Sequence, residues 1–574
     1  MVTLLVQSVI IIGLFFEKIN IAEKISKLKI GGLDMGKQPN IIVFNPDQMR
    51  ADSLGHLGNP VGATPFLDQL SRNEAVSFQN AFCQSPVCVP SRCSFTTGQY
   101  PHVRGHRTMS YLLREDETSI FEELKNAGYH VWMNARNDLV AGQIPGLVAR
   151  HASEIYYGGE TVNVPGPVED KRGGPGNKDF YSMYHGRLAT DENGFRYGPD
   201  DEDLDAAIRC IRNKPEDKPL CLFLGLLNPH PPYQVEEPYY SAIDRSRVPA
   251  RVCHGQAEGR PRIEQLIREN QAMENYTEED WTELRATYLG MCLKVDDMFR
   301  KLCDALKEVG EYDNSAIFFF SDHGDYTGDF GISEKAQNSF PDCLTKVPLL
   351  IKPPKGEVVD PGVAGGLTEL VDFYATAMDY AGVEPSHSHF GRSLRSVVSD
   401  RSKTVREFAC CEGGRLPEER HCDEFHVSAG PQGTPKGNPY WPRHFAQTDN
   451  EAHAKGIMLR TEYGKYVSRV SGQDEYYDLK NDPQELVNQI NNPDYSAQIV
   501  DHQLKLMRWL VATTDVVPFD HDRRFSPKMC WAKVQKIVPP EHKEEVMEKI
   551  ESGMNLFLLQ NYCKDRFGEG KAKK

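Results

Sequence analysis

Cys88, Pro90 and Arg92, within the run Cys88-Val89-Pro90-Ser91-Arg92, join a nucleophilic side chain to the start of a helix. Proline is favoured in a first helical turn, where its missing N–H is not needed, so Cys88 is expected at the mouth of that turn. A helix start aims free backbone N–H groups and a partial positive charge at what lies before it, and this suits an anion. Arg92 adds a planar, permanently charged donor that matches sulfate or phosphate oxygens. Alone, the pentapeptide equally fits a buried cysteine in an ordinary loop. Asp47, His230 and the pair Asp322-His323 change that balance, because each follows directly on a short apolar run. Any one of them alone fits a structural loop residue, but three such positions delivering carboxylate or imidazole groups point to a ligand site.

The apolar runs are the elements that must place these groups. Asn40 to Asn45, Tyr129 to Asn134, Leu220 to Leu227, Ala316 to Phe320 and Val347 to Ile351 read as buried strands. Helical spacing separates them: Thr64 to Asn73, Thr118 to Ala127, Asp203 to Arg212, Asp280 to Val309 and Leu367 to Ala381. Continuous apolar strands alternating with helices indicate an α/β fold, a large mostly parallel sheet sandwiched by helices. Such sheets gather ligands at the carboxyl ends of their strands, so Asp47, His230 and Asp322-His323 are expected on one edge.

Four segments are expected along the chain: a signal-like extension over 1–35, a catalytic domain over 36–403, a subdomain over 404–524, and a helical basic tail over 525–574. The subdomain should be α+β, with a short antiparallel sheet that includes Gly456 to Arg460 and Lys465 to Arg469. Gly158 to Asp201 and Cys411 to His453 are too long for simple connectors and fit either walls of the pocket or mobile surface loops.

With a formal net charge of -16, the chain is a poor nonspecific partner for nucleic acid or an anionic membrane surface, which leaves small molecules and glycans. Its 14 cysteines lack zinc spacing and are expected to be reduced and buried, Cys88 excepted. Leu4 to Phe16 is apolar, but no Lys or Arg precedes it and it is short for a membrane span. Met35 stands just before the first strand, so a cytoplasmic location is expected, with secretion or anchoring through residues 4–16 as the alternative.

Cys88 to Arg92, followed by Thr97-Gly98-Gln99-Tyr100-Pro101 and Gly105, resembles the signature of the type I sulfatases of the alkaline phosphatase superfamily. Asn40 to Asp47, Asn228-Pro229-His230-Pro231, Ser321-Asp322-His323-Gly324-Asp325, Gly331 to Lys335 and the run from Tyr477 to Leu486 resemble further motifs of that family, in its order. The resemblance implies an alkaline-phosphatase-like fold and a Cys88 oxidised to formylglycine by a formylglycine-generating or anaerobic radical maturation enzyme. It implies one divalent cation, Ca²⁺ before Mg²⁺ or Mn²⁺, held by Asp47, Gln48, residue 88, Asp322 and His323. Arg92 would hold the hydrated aldehyde and a metal carboxylate, while His230 and Lys335 would bind sulfate oxygens and assist the leaving group. The implied reaction is hydrolysis of a carbohydrate, aryl or alkyl sulfate ester.

Two departures bear on this. Gln48 stands where many members carry a second aspartate, a variation also found in related phosphonate and phosphate ester hydrolases. The usual Gly-Lys-Trp-His segment aligns with Ala135-Arg136-Asn137-Asp138. Arg136 keeps the positive charge, whereas Asp138 can replace a histidine acid only if burial raises its pKa. The alternatives are a phosphonate or phosphodiester hydrolase of the same fold and an inactive sulfoglycan-binding protein.

Overall fold

The computed structural model of the chain describes residues 38–159, 164–427, 432–519 and 524–568. The segment 4–16 and the basic end 570–574 lie outside them. Among the described residues, no helix is long and apolar enough to cross a membrane. The chain forms two compact units, one of residues through Pro385 with His389–Thr514, the other of Ser386–Ser388 with residues from Asp515 onward.

The first unit is built on a nine-stranded sheet. Its strands are β1 (Asn40–Asn45), β2 (Val76–Phe82), β3 (His130–Asn134), β4 (Glu154–Tyr156), β6 (Leu220–Gly225), β8 (Ser315–Phe320), β9 (Lys346–Val347), β10 (Leu349–Lys352) and β11 (Gly362–Glu369). A two-stranded piece pairs β5 (Tyr184–Arg187) with β7 (Tyr233–Val235). The order across the large sheet is β11-β2-β10-β8-β1-β6-β3-β4, with β9 beside β2. β8, β1, β6, β3 and β4 run parallel, and β10 is antiparallel to both neighbours.

Alternate residues of the central strands feed two cores, as a sheet covered on both faces requires. Ile41, Val43, Phe318 and Phe320 pack on one face with Phe95 of α2 (Cys88–Thr97), Phe121 of α3 (Ile120–Asn126) and Phe373 of α6 (Val371–Ala381). Ile42, Phe44, Ile317 and Phe319 pack on the other with Leu67 of α1 (Pro65–Asn73), Leu204 of α4 (Pro199–Asn213) and Phe299 of α5 (Glu278–Glu308). Burying one such side chain contributes about 1.5–3 kcal/mol, so both faces of the sheet are strongly fixed.

The antiparallel sheet anticipated near the end of the chain has four strands: β12 (Phe408–Gly413), β13 (Gly456–Thr461), β14 (Gly464–Arg469) and β15 (Glu475–Asp478). It belongs to the same compact unit as the large sheet, so compactness divides the chain at Asp515 rather than near 404. Core residues explain this: Ala409, Cys411, Met458 and Val467 share one cluster with the large sheet. The second unit holds α8 (Pro527–Val534), α9 (Lys543–Glu551) and α10 (Leu556–Phe567) around Val534, Val546, Ile550 and Leu559.

Local pattern misled in two places. Val347 to Ile351 is two strands, because Pro348 has no N–H to continue the ladder. The helix expected from Leu367 starts at Val371, since Gly362–Glu369 is drawn into an edge strand parallel to β2. Neither partner of that pairing was anticipated as a strand.

Candidate active site and metal centre

β8, β1, β6 and β3 are adjacent and parallel, so the loops that follow them meet on one edge and bring Asp322, Asp47, His230 and Arg136 together. Side-chain amides extend the strand pairing there. Asn45 Nδ2 donates to the Phe320 carbonyl at 2.7 Å, and Asn134 exchanges bonds of 2.7 and 3.0 Å with the Gly225 backbone. A Cβ on Gly225 would lie 2.5 Å from the Arg136 carbonyl oxygen, so only glycine lets these loops close.

Cys88 opens α2 as the sequence anticipates. Its Sγ lies 3.1 Å from His323 Nε2, 3.4 Å from Lys335 Nζ and 3.5 Å from Asp47 Oδ1. Contrary to expectation it is as buried as the other thiols, at 3 % exposure, because all of α2 lies under the loops. Cys253 and Cys343 are instead the half-buried ones. Burial, then the Asp47 carboxylate, push the Cys88 thiol up, so the protonated form occupies the site.

Arg92 is fully buried and bridges two carboxylates. Its Nε donates to Asp322 Oδ2 at 2.9 Å and its Nη2 to Asp47 Oδ2 at 2.8 Å. Nη1 donates to the Arg136 carbonyl at 3.0 Å. One oxygen of each carboxylate is thereby taken, and the Oδ1 of Asp47 and Asp322 stand 3.6 and 3.8 Å from His323 Nε2. His323 Nδ1 lies 2.9 Å from the Gly324 carbonyl, which fixes the proton on Nδ1 and leaves Nε2 as a lone pair. Ligand atoms of Asp47, Cys88, Asp322 and His323 all fall within 4.8 Å of one another. Two carboxylate oxygens and one imidazole nitrogen, oriented by hydrogen bonds from behind, fit a divalent cation.

Gln48 has a left-handed backbone, φ 68°, held by its N–H to Asp322 Oδ1 at 3.1 Å. Its Nε2 donates to Asp325 Oδ2 at 2.5 Å, which turns Oε1 toward Lys335 Nζ at 2.8 Å. That amide oxygen keeps a second lone pair for a cation. Asp325, without an assigned role in the motif reading, also accepts from Tyr233 and Thr327; burial raises its pKa to about 6.

Around the cluster stand Lys335, Arg136 and His230. Burial would raise the Asp47 carboxyl, but His230, Lys335, Arg92 and Arg136 outweigh it and hold it well below the usual carboxylate range. His230 is itself driven neutral by burial and by Lys335, so the three cations carry that effect. His230 Nδ1 lies 2.6 Å from the Pro231 carbonyl, which leaves Nε2 as its titrating atom. Arg136 Nη2 reaches Asp47 Oδ2 at 3.2 Å. Asp138 is 37 % exposed, with its Oδ2 3.8 Å from Arg92 Nη1.

The two long stretches do meet at the site. Tyr181 packs on Trp441 of α7 (Trp441–Ala446) at 5.9 Å, donates to the Lys436 carbonyl, and accepts from Ser333 through its own carbonyl. Arg443 Nη1 donates to Glu334 Oε1 at 2.6 Å, and that oxygen lies 3.5 Å from Lys335 Nζ. Glu334, Tyr440 and Arg443 had no spacing signal, because a loop remote in sequence delivers the last two.

A mostly parallel sheet with a buried carboxylate-imidazole cluster at its carboxyl edge defines an alkaline-phosphatase-like enzyme. The Sulfatase family model matches residues 39–383, and the chain belongs to the sulfatase family. It is an enzyme of that class. An arylsulfatase of Clostridium perfringens is 24 % identical over 497 residues, which cover 82 % of this chain and 94 % of that protein. Among solved structures, a phosphonate monoester hydrolase of Agrobacterium radiobacter aligns with TM-score 0.65 at 22 % identity, covering 84 % of this chain and 97 % of that one. BT4656 in complex with its substrate D-glucosamine-2-N,6-O-disulfate aligns with TM-score 0.61 at 18 % identity, covering 83 % and 97 %. These two likenesses concern the fold.

Proposed function

We propose that this protein hydrolyses sulfate esters of carbohydrates or aryl or alkyl alcohols, with residue 88 acting as formylglycine. The observation that carries this is the position of Cys88 Sγ, 3.1 Å from His323 Nε2 and 3.4 Å from Lys335 Nζ at a helix start. Sγ marks where one hydroxyl of the hydrated aldehyde would stand. Asp47, Gln48, Asp322, His323 and the modified residue 88 would hold one divalent cation, with Ca²⁺ the best match to the oxygen donors. A cation bound there would supply Lewis acidity, lowering the pKa of a hydroxyl and offsetting negative charge nearby. The maturation enzyme that oxidises Cys88 is the partner this chemistry requires.

Arg92 keeps the two carboxylates apart and aimed, and Lys335 and Arg136 attract the sulfate oxygens. One hydroxyl of residue 88, its proton already lost to water, would attack sulfur as the bond from sulfur to the alcohol oxygen breaks and His230 Nε2 gives that oxygen a proton. The second hydroxyl would then give its proton to His230 Nε2, the carbon–oxygen bond to the sulfuryl group would break, the aldehyde would re-form and sulfate would depart. Water rehydrates the aldehyde. Burial and Lys335 lower the His230 pKa, and an anionic ester beside it would favour its protonated form.

The test is turnover of 4-nitrophenyl sulfate against a phenylphosphonate ester, alongside the mass of the peptide that carries residue 88. The expected result is a loss of ~18 Da, thiol to aldehyde, with faster release of sulfate. An aldehyde that cleaves only the phosphonate would replace this reading with the phosphonate hydrolase. An intact thiol without turnover would replace it with a binding protein.

A further inference from the structure

The ring of Tyr440 stands edge to face with His230, 6.3 Å between centroids. Tyr440 is half-buried. Among the described residues its hydroxyl has no hydrogen-bond partner, nor is it a sealed, buried oxygen. The rest of the residue is firmly held. Its N–H donates to Asn438 Oδ1 at 2.8 Å and its carbonyl accepts from His444 N–H at 3.0 Å. The Arg443 guanidinium lies 5.1 Å from the ring centroid, and the His444 ring stacks on it at 6.1 Å. Arg443 is buried and pinned at both ends, by Glu334 at 2.6 Å and Glu424 at 2.8 Å. A rigid aromatic side chain with a free hydroxyl, next to the proton-bearing histidine, is what a binding site presents to a ligand rather than what a core retains.

Position says which part of the ligand it meets. In the proposed reaction the sulfuryl group lies among Cys88, Lys335 and Arg136, and the alcohol oxygen lies at His230. Whatever carbon skeleton the alcohol carries must therefore pass beside Tyr440. Burial, then Glu334, raise the phenol above its ordinary value, with Lys335, Arg443 and Cys88 also in electrostatic reach, so the hydroxyl stays a neutral donor.

We infer that Tyr440 is a specificity-determining, substrate-contacting residue that favours sulfate esters of ring-bearing alcohols, its ring forming a wall for the ring of the leaving group and its hydroxyl donating to a polar substituent on it. This inference rests on the sulfate ester hydrolysis proposed above. A flat wall rewards a flat or pyranose ring, which it contacts over a broad face, more than a flexible chain, which loses rotamer freedom to make the same contact.

The experiment compares wild type, Tyr440→Phe, Tyr440→Leu and Tyr440→Ala on three esters: 4-nitrophenyl sulfate, glucosamine 6-sulfate and hexyl sulfate. Melting temperature is followed for each variant. Removing the ring is expected to lower kcat/KM roughly tenfold for the two ring-bearing esters and less than about twofold for hexyl sulfate. The loss should appear mainly in KM, and Tyr440→Phe should restore 4-nitrophenyl sulfate while leaving the polyhydroxylated glucosamine ester impaired. Tyr440→Leu retains bulk, and it carries the comparison if Tyr440→Ala melts early. Equal losses on all three esters, or none, overturn the inference while the hydrolysis stands. A wild type that releases sulfate from none of them removes the hydrolysis itself, and the inference with it.

Discussion

Arg92 and Asp322 are joined by a bond of 2.9 Å between Nε and Oδ2, and both side chains are wholly buried. Because the same guanidinium also holds Asp47 Oδ2, one residue fixes the orientation of two candidate metal ligands. Replacing Arg92 by Met leaves the buried Asp322 carboxylate without its cationic partner and Asp47 with Arg136 alone, which costs about 3–5 kcal/mol. Urea denaturation should show that loss, with part of it recovered on adding Ca²⁺. A variant as stable as wild type would refute the clamp.

Cation binding should itself stabilise the fold. With Ca²⁺ at one hundred times its dissociation constant, folded protein gains about 2.7 kcal/mol by mass action. The melting temperature of the native-host protein should fall on chelation and return with Ca²⁺, and Asp322→Ala should remove the response. Persistence of the full response in Asp322→Ala would place the cation elsewhere.

Lys335 donates to Gln48 at 2.8 Å and approaches Cys88 at 3.4 Å, so its ammonium is directed at the reacting centre. Lys335→Met should lower kcat/KM by about 10²–10³, the usual loss when a preorganised charge donor is removed. Gln48→Leu frees that ammonium without deleting it, removes one proposed ligand of the cation, and should lose roughly tenfold. Steady-state kinetics on 4-nitrophenyl sulfate would rank the two, and the reverse ranking would give Gln48 the larger part.

His230 is expected to matter in proportion to how badly the alcohol leaves. His230→Asn should lower kcat by about 10²–10⁴ for an alkyl sulfate and by much less for 4-nitrophenyl sulfate, whose phenolate needs little protonation. A uniform loss across leaving groups would reassign His230 to sulfate binding alone.

His106 offers a stability test at a residue outside the proposed catalytic set. Its Nδ1 lies 2.9 Å from the Tyr111 carbonyl and its Nε2 2.9 Å from Glu117, so both nitrogens must carry protons. Burial opposes the charge, but Cys93 and Glu117 overcome it and raise the pKa to about 10. A histidine raised in the folded state stabilises fully below its unfolded value near 6.5, and that contribution disappears as pH climbs toward 10. Wild type should therefore lose a few kcal/mol between about pH 6.5 and 10 that His106→Gln does not. Parallel curves for the two proteins would show that the ring is neutral.

Much of this site can be read locally. Apolar runs such as Asn40 to Asn45 and Ala316 to Phe320 announce buried strands, and the polar groups that follow them must emerge at strand ends. Pro90 announces the turn that begins at Cys88. These signals survive without a structure because strand and turn preferences act over a few residues. The edge pairing of β2 with β11 was not legible, since Ser77, Gln79 and Asn80 interrupt the apolar pattern and Gly365-Gly366 weaken it.

The sequence by itself determined the chemistry on offer: a cysteine at a helix start, two aspartates, two histidines, a lysine and two arginines, each tied to an element with a recognisable period. Only the tertiary structure decided which oxygen of each aspartate Arg92 occupies, that Cys88 is buried rather than open, and that Tyr440 and Arg443 arrive at the same cleft from a distant loop. These outcomes depend on strand order and side-chain packing between segments hundreds of residues apart, for which no local spacing carries a signal.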